Sequence, residues 1–101
     1  MIFINKILLG DCLKNFPKIP NNSIDLVFLD PPYNLQLNKE LTRPNHSVVK
    51  GVNNDWDKFD DFNSYDQFSK EYLRECKRVL KDDGSLWVIG SYHNIFRIGK
   101  I

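Results

Sequence analysis

Apolar positions cluster into a few segments of this chain, separated by polar and turn-forming residues. Ile7-Leu8-Leu9 is a short apolar run stopped by Gly10-Asp11, and it reads as a strand. Asp11 is placed to cap a short helix carrying Leu13 and Phe16, which Pro17 and Pro20 end. Ile24 to Leu29 (Ile-Asp-Leu-Val-Phe-Leu) is nearly continuous in apolar residues. That is the pattern of a strand covered on both faces. It runs directly into Asp30-Pro31-Pro32-Tyr33.

Residues 34 to about 62 show no clean period and hold Pro44, Gly51, five asparagines and charges of both signs. A structureless loop this long in so small a domain is unusual unless it is functional. Order returns at Ser64, which forms a capping-box pattern with Gln67. Phe68, Tyr72, Leu73, Cys76, Val79 and Leu80 follow at helical spacing as a core stripe, with Lys70, Glu71, Arg74, Lys77 and Arg78 on the other faces. Asp82-Asp83-Gly84 reads as a turn and Ser85 to Ile89 as a second buried-type strand. Gly90-Ser91 leaves that strand, and Ile95, Phe96 and Ile98 open another helix.

Two apolar strands joined through a helix form a βαβ unit, which places them in one parallel sheet. In open α/β sheets the ligand site lies beyond the carboxyl ends of the strands. Those ends are Gly10-Asp11, Asp30 to Tyr33 and Gly90 to His93, so the polar residues of interest converge on one edge.

With 101 residues the chain has room for one small domain. At 42% hydrophobic and 27% charged residues it falls outside the disordered and fibrous classes. Lys plus Arg number 14 against 13 for Asp plus Glu, so bulk charge argues for neither a nucleic-acid nor a membrane partner. Cys12 and Cys76 are far apart and belong to no Cys/His pattern, so reduced thiols are expected and no metal site is indicated. The N-terminal apolar run is too short for a signal peptide or a membrane span, and a soluble cytoplasmic protein is expected.

Asp30-Pro31-Pro32-Tyr33 is the segment with distinctive chemistry. Each proline fixes its own φ and holds the residue before it extended. The prolines offer no N–H, so the Asp30 carboxylate and the Pro31 carbonyl form a rigid acceptor pair beside the Tyr33 ring. Such a site suits a planar ring bearing an exocyclic amine. A proline-rich strand exit with a solvated Asp is the competing reading, and the position directly after an apolar strand favours the site.

Leu8-Leu9-Gly10-Asp11-Cys12 and Asp30-Pro31-Pro32-Tyr33-Asn34-Leu35 resemble motifs of amino-group DNA methyltransferases of the beta class, which use S-adenosylmethionine. Arg43-Pro44, Asn54-Asp55-Trp56-Asp57 and the run Arg78 to Arg97 are similar to the cell-cycle-regulated adenine methyltransferases of alphaproteobacteria, which modify adenine N6 in duplex GANTC. The resemblance implies an α/β fold: a partial Rossmann-like methyltransferase sheet, mostly parallel, with helices packed on it. It implies that Asp30 and the Pro31 carbonyl accept the two N–H bonds of the target amine. Tyr33, following Pro32, would stack on the flipped adenine. Asp11 with Cys12 would bind the cofactor's adenine end, and Asp30 and Pro31 would line its methionine end. No cysteine nucleophile is required. Residues 35–61 correspond to a DNA-facing loop, with Lys39, Arg43, Lys50 and Lys58 as candidate phosphate contacts. Their charge is opposed by Glu40, Asp55, Asp57, Asp60 and Asp61, and a solvated role competes for each. Trp56 is expected as a loop anchor, His46 and His93 as hydrogen-bonding residues, and Ser91 as a helix cap or a neighbour of the site.

Relatives of this kind are longer and carry a Phe-x-Gly-x-Gly cofactor loop. None of the five glycines here has Gly-x-Gly spacing, so the central cofactor-loop strands are expected to be missing. The expectation is an N-terminal part of a catalytic domain over residues 1–101, inactive alone. Duplex DNA is the expected partner, no membrane partner is expected, and homodimerisation of the full-length protein is left open. Two other readings stand beside it: a non-catalytic remnant, and an enzyme methylating cytosine N4, RNA or protein glutamine. Asp30, where many of the latter have Asn or Ser, favours adenine in DNA.

Overall fold

The computed structural model describes residues 3–34, 41–42, 48–49, 59 and 61–101. Its elements are α1 (Cys12–Asn15) running into a 3₁₀ turn (Phe16–Lys18), β1 (Ile24–Leu29), β2 (Leu41–Thr42), β3 (Val48–Val49), α2 (Phe62–Val79), β4 (Leu80–Val88) and α3 (Ile95–Lys100). β1 and β4 pair in parallel, with α2 in the crossover between them, as the two apolar runs require. The chain is therefore a partial α/β fold. Among the described residues no helix is long and apolar enough to cross a membrane.

The core lies along one face of α2. Tyr65, Ser69, Tyr72, Cys76 and Val79 are buried, joined by Ile98 and Asn94 from the C-terminal segment. Each fully buried apolar side chain of this size contributes about 1.5–3 kcal/mol. Phe68, Leu73 and Leu80, expected in the stripe, are only half-buried. The stripe instead passes through Ser69 and extends one turn upstream to Tyr65.

The helix also starts earlier than the expected Ser64. Asp61 is extended (φ −153, ψ 175) and its carboxylate accepts from Ser64 N–H at 2.7 Å. This bond satisfies a free first-turn donor and lowers the Asp61 pKa. At the other end Leu80 leaves helical geometry (ψ 139) and begins β4. Asp82-Asp83-Gly84, expected as a turn before the strand, lies inside it. Ile24 pairs with Leu80 but Leu26 pairs with Ser85, so the excursion is absorbed as a bulge opposite Asp25. Lys81 Nζ meets Asp25 Oδ1 across it at 2.9 Å.

Arg78 ties the entry of β1 to the end of α2. Its guanidinium donates to the carbonyls of Phe16 (2.8 Å) and Ile19 (2.9 Å) and to Asn21 Oδ1 (2.6 Å) while pairing with Glu75. The last helical carbonyls, of Arg78 and Val79, accept from Asn22 and Ser23 N–H. Helix-end acceptors are thus satisfied by the segment that leads into the strand.

Three further expectations are corrected. Ile7-Leu8-Leu9 forms no strand, and Ile7 and Leu9 are 96% and 98% exposed. A strand exists through its partner, and among the described residues the second edge of β1 has none. β1 is likewise not covered on both faces. Leu26, Phe28 and Trp87 remain exposed, because α2 covers one face and no described element covers the other. Within the expected structureless loop, β2 and β3 form a small antiparallel ladder, Leu41 opposite Val49 and Thr42 opposite Val48. Two-residue strands are too short to show a period in sequence.

The two thiols differ sharply. Cys76 is fully buried and burial pushes its pKa up to about 11, whereas Cys12 is exposed. Cys12 is expected to react with iodoacetamide in the native chain at pH 8, and Cys76 only after denaturant is added. Equal native labelling rates, read by mass spectrometry, would contradict the burial of α2.

Candidate functional site

Parallel pairing brings the carboxyl ends of β1 and β4 side by side. Leu29 pairs with Val88, and Ile89 N–H donates to the Leu29 carbonyl at 2.9 Å. Beyond that rung the chain enters Asp30-Pro31-Pro32-Tyr33-Asn34, while the partner strand enters the Ser91–Asn94 turn. The structure thus joins two of the three strand-end clusters expected from sequence.

Within the tetrapeptide the Asp30 carboxylate is exposed, and the Tyr33 hydroxyl donates to its Oδ1 at 2.7 Å. Asn34 follows in left-handed geometry (φ 56), and its Oδ1 accepts from Phe59 N–H at 3.3 Å. This bond joins the base of the long loop to the end of the motif. Phe59 packs edge-on against Tyr65 with ring centres 5.1 Å apart.

Tyr65 connects the motif to the interior. Its hydroxyl donates to the Pro32 carbonyl at 2.9 Å and accepts from Asn94 Nδ2 at 2.9 Å. Asn94 is 2% exposed, and its Oδ1 accepts from Ser91 N–H (2.7 Å) and Ser91 Oγ (3.3 Å). Ser91 does not cap α3. Asn94 occupies that position, and the Ser91 hydroxyl accepts from His93 N–H within the turn. A recess of about 300 Å³ opens here, bordered by Tyr33, Tyr65, His93 and Arg97 among others. Arg97 is held by Asp66 at 2.6 Å and lies over the Phe62 ring at 4.4 Å.

Asp11 and Cys12 stand at the start of α1. The Asp11 carboxylate accepts from Leu13 N–H at 2.9 Å, the cap expected of it. Although the residue is exposed, partial covering of its thiol and the Asp11 charge raise the Cys12 pKa. Burial pushes the Tyr72 phenol up to about 12. Both thiols are thus disfavoured as thiolates. The four candidate DNA contacts, Lys39, Arg43, Lys50 and Lys58, lie outside the described residues, as do His46 and Trp56. Among the described residues no group of three or more His, Cys, Asp or Glu is placed to hold a metal.

A family model described as DNA methylase matches residues 24–101, from the first residue of β1 through α3. The chain belongs to this DNA methylase family. The methylase chain is 54% identical over 99 residues to the Type II methyltransferase M.HinfI of Haemophilus influenzae, covering 98% of this chain and 28% of that protein. It is 40% identical over 93 residues to the Type II methyltransferase M2.MboI of Moraxella bovis, covering 91% of this chain and 33% of that protein. The methylase chain thus spans a third or less of these relatives' own length.

Sequence reasoning put Asp30-Pro31-Pro32-Tyr33 at the exit of a strand, as found, but did not single out Tyr65 or Phe59, and named Asn94 only within its turn. A signal for Tyr65 was present. Tyr65, Ser69, Tyr72, Cys76 and Val79 repeat at spacings of four and three, and the small Ser69 hid the continuity.

Close packing at Gly90 sets the distance between strand exit and Asn94. A methyl group at Gly90 would meet Ile95 Cδ1 at 2.5 Å and Asn94 Oδ1 at 3.1 Å, whereas at Gly99 nothing lies within 4 Å. Gly90→Ala is expected to cost about 1–3 kcal/mol in urea unfolding through overpacking. Gly99→Ala, inside α3, is expected to be neutral or stabilising by up to about 1 kcal/mol. Equal midpoints for the two variants would contradict this packing.

Proposed function

We propose that this chain carries the target-base chemistry of an S-adenosylmethionine-dependent DNA adenine-N6 methyltransferase acting on duplex DNA at GANTC-like sites. The observation that supports this most is the Asp30-Pro31-Pro32-Tyr33 segment at the carboxyl edge of a parallel strand pair, in a chain of the DNA methylase family. An exocyclic amine presents two N–H bonds and so calls for two acceptors. The exposed Asp30 carboxylate accepts one and the Pro31 carbonyl the other. With both N–H bonds engaged, the nitrogen lone pair is drawn out of conjugation with the ring and becomes nucleophilic. Tyr33 stacks on the base after it leaves the duplex. Its hydroxyl occupies Asp30 Oδ1 here, so the incoming amine replaces one donor by another. Asp30 in place of Asn or Ser favours adenine over cytosine N4, RNA or glutamine as the acceptor.

The transferred methyl group comes from S-adenosylmethionine, in which it is bound to an electrophilic sulfonium. The donor set fits that group's polar ends: two exposed carboxylates, Asp11 and Asp30, stand at separate places for an amino group and a cationic tail. Asp11 with Cys12 is proposed to hold the adenine end, and Asp30 with Pro31 to line the methionine end. Lys39, Arg43, Lys50 and Lys58 are the proposed phosphate contacts, which position the duplex without reading its sequence.

The test replaces the matching segment of the Haemophilus methyltransferase with this chain and follows tritiated methyl transfer to duplex DNA. Asp30→Ala is expected to slow transfer by roughly 10²–10³-fold or more, the scale for removing one preorganised polar group at a reacting centre. Helix content should be unchanged. An Asp30→Ala chimera with the parent's turnover would remove Asp30 from the reaction.

A further inference from the structure

We propose that Tyr65 and Asn94 are positioning residues for the Asp30-Pro31-Pro32-Tyr33 segment, acting through a hydrogen-bonded relay that ends on the Pro32 carbonyl. The proposal rests on reading that segment as an amine-methylating site. The physical problem is one of anchoring. Past the rung from Ile89 N–H to the Leu29 carbonyl, Pro31 and Pro32 have no N–H with which to join a ladder. Their rings fix φ, and Pro32 holds Pro31 extended, which sets the Pro31 carbonyl. The ψ of Pro32 remains, and it sets the plane of the next peptide and the direction in which Tyr33 departs. The Tyr65 hydroxyl, 2.9 Å from the Pro32 carbonyl, holds that plane.

The relay runs in one direction. Ser91 N–H and Oγ donate to Asn94 Oδ1, which orients the side-chain amide so that Nδ2 faces Tyr65. Asn94 Nδ2 donates to the Tyr65 oxygen, and the Tyr65 proton is then committed to Pro32. Asn94 is almost fully buried, so water does not compete for these bonds. The Tyr65 ring also packs on Phe59, whose N–H donates to Asn34, the residue after Tyr33. One side chain on a rigid helix thus braces Tyr33 from both sides.

A merely structural role would reduce activity only in proportion to the loss of folded protein. Positioning slows the chemical step while binding is retained, because the near-attack geometry loosens without loss of a substrate contact. The test uses the chimera carrying Tyr65→Phe, which keeps the ring packing, together with Asn94→Ala and the double variant. Single-turnover methyl transfer is expected to fall roughly 10–100-fold in each single variant. KM for DNA and for cofactor should change little, and the double variant should be no slower than the worse single one.

A second readout needs no activity. In carbonyl-labelled proline samples the Pro32 carbon resonance is expected to shift in Tyr65→Phe, while that of Pro20, bonded to Ser23 Oγ, stays in place. Transfer rates within twofold of the parent in both single variants, or an unmoved Pro32 resonance, would overturn the relay. A parent chimera that transfers no methyl group would count against the site reading, and the Pro32 resonance would then decide the relay on its own.

Discussion

A strand exit made of two prolines has acceptors to offer and no backbone donors with which to hold itself. In this chain the Tyr65 hydroxyl on the Pro32 carbonyl meets that need, and much of the surrounding structure serves to place it. Tyr65 lies on the buried face of α2, one turn from the cap at Asp61, and its oxygen is in turn held by the buried Asn94. A buried polar group left unmade costs the full desolvation of its partner, so the relay is favourable only when every member is present. The ordering of Ser91, Asn94, Tyr65 and Pro32 therefore links β4, α2 and the end of β1 in a single arrangement.

The same helix serves the other end of the sheet. Arg78 and the last carbonyls of α2 hold the segment that enters β1, while Tyr65 holds the segment that leaves it. Both ends of β1 are thus referenced to one rigid element. A site built on such a scaffold keeps its geometry better than one supported by loops alone. Among the described residues the other face of the sheet is left uncovered, where Leu26, Phe28 and Trp87 meet solvent.

Much of this was legible in the residues. The two apolar runs gave a parallel pair, and the dipeptide Pro31-Pro32 marked a strand exit with unusual chemistry because proline acts locally and predictably. What was not legible depended on partners. Ile7 to Leu9 has the composition of a strand but no neighbour among the described residues with which to form one. Asp82-Asp83-Gly84 carries a turn signal, yet the cross-strand register turned it into a bulge. Ser64 and Ser91 looked like caps, but Asp61 caps α2 through its carboxylate, and Asn94 stands at the start of α3 with its side chain bonded to Ser91 and Tyr65 instead. The link from Tyr65 to Pro32 spans 33 residues, and no local pattern encodes a bond of that separation.

The central claim is that the acceptor pair at Asp30 and Pro31, so held, selects the exocyclic amine of adenine. Nucleoside mass spectrometry of duplex DNA methylated by the chimera tests it most directly. The account predicts N6-methyladenine as the methylated product. N4-methylcytosine in its place would contradict it.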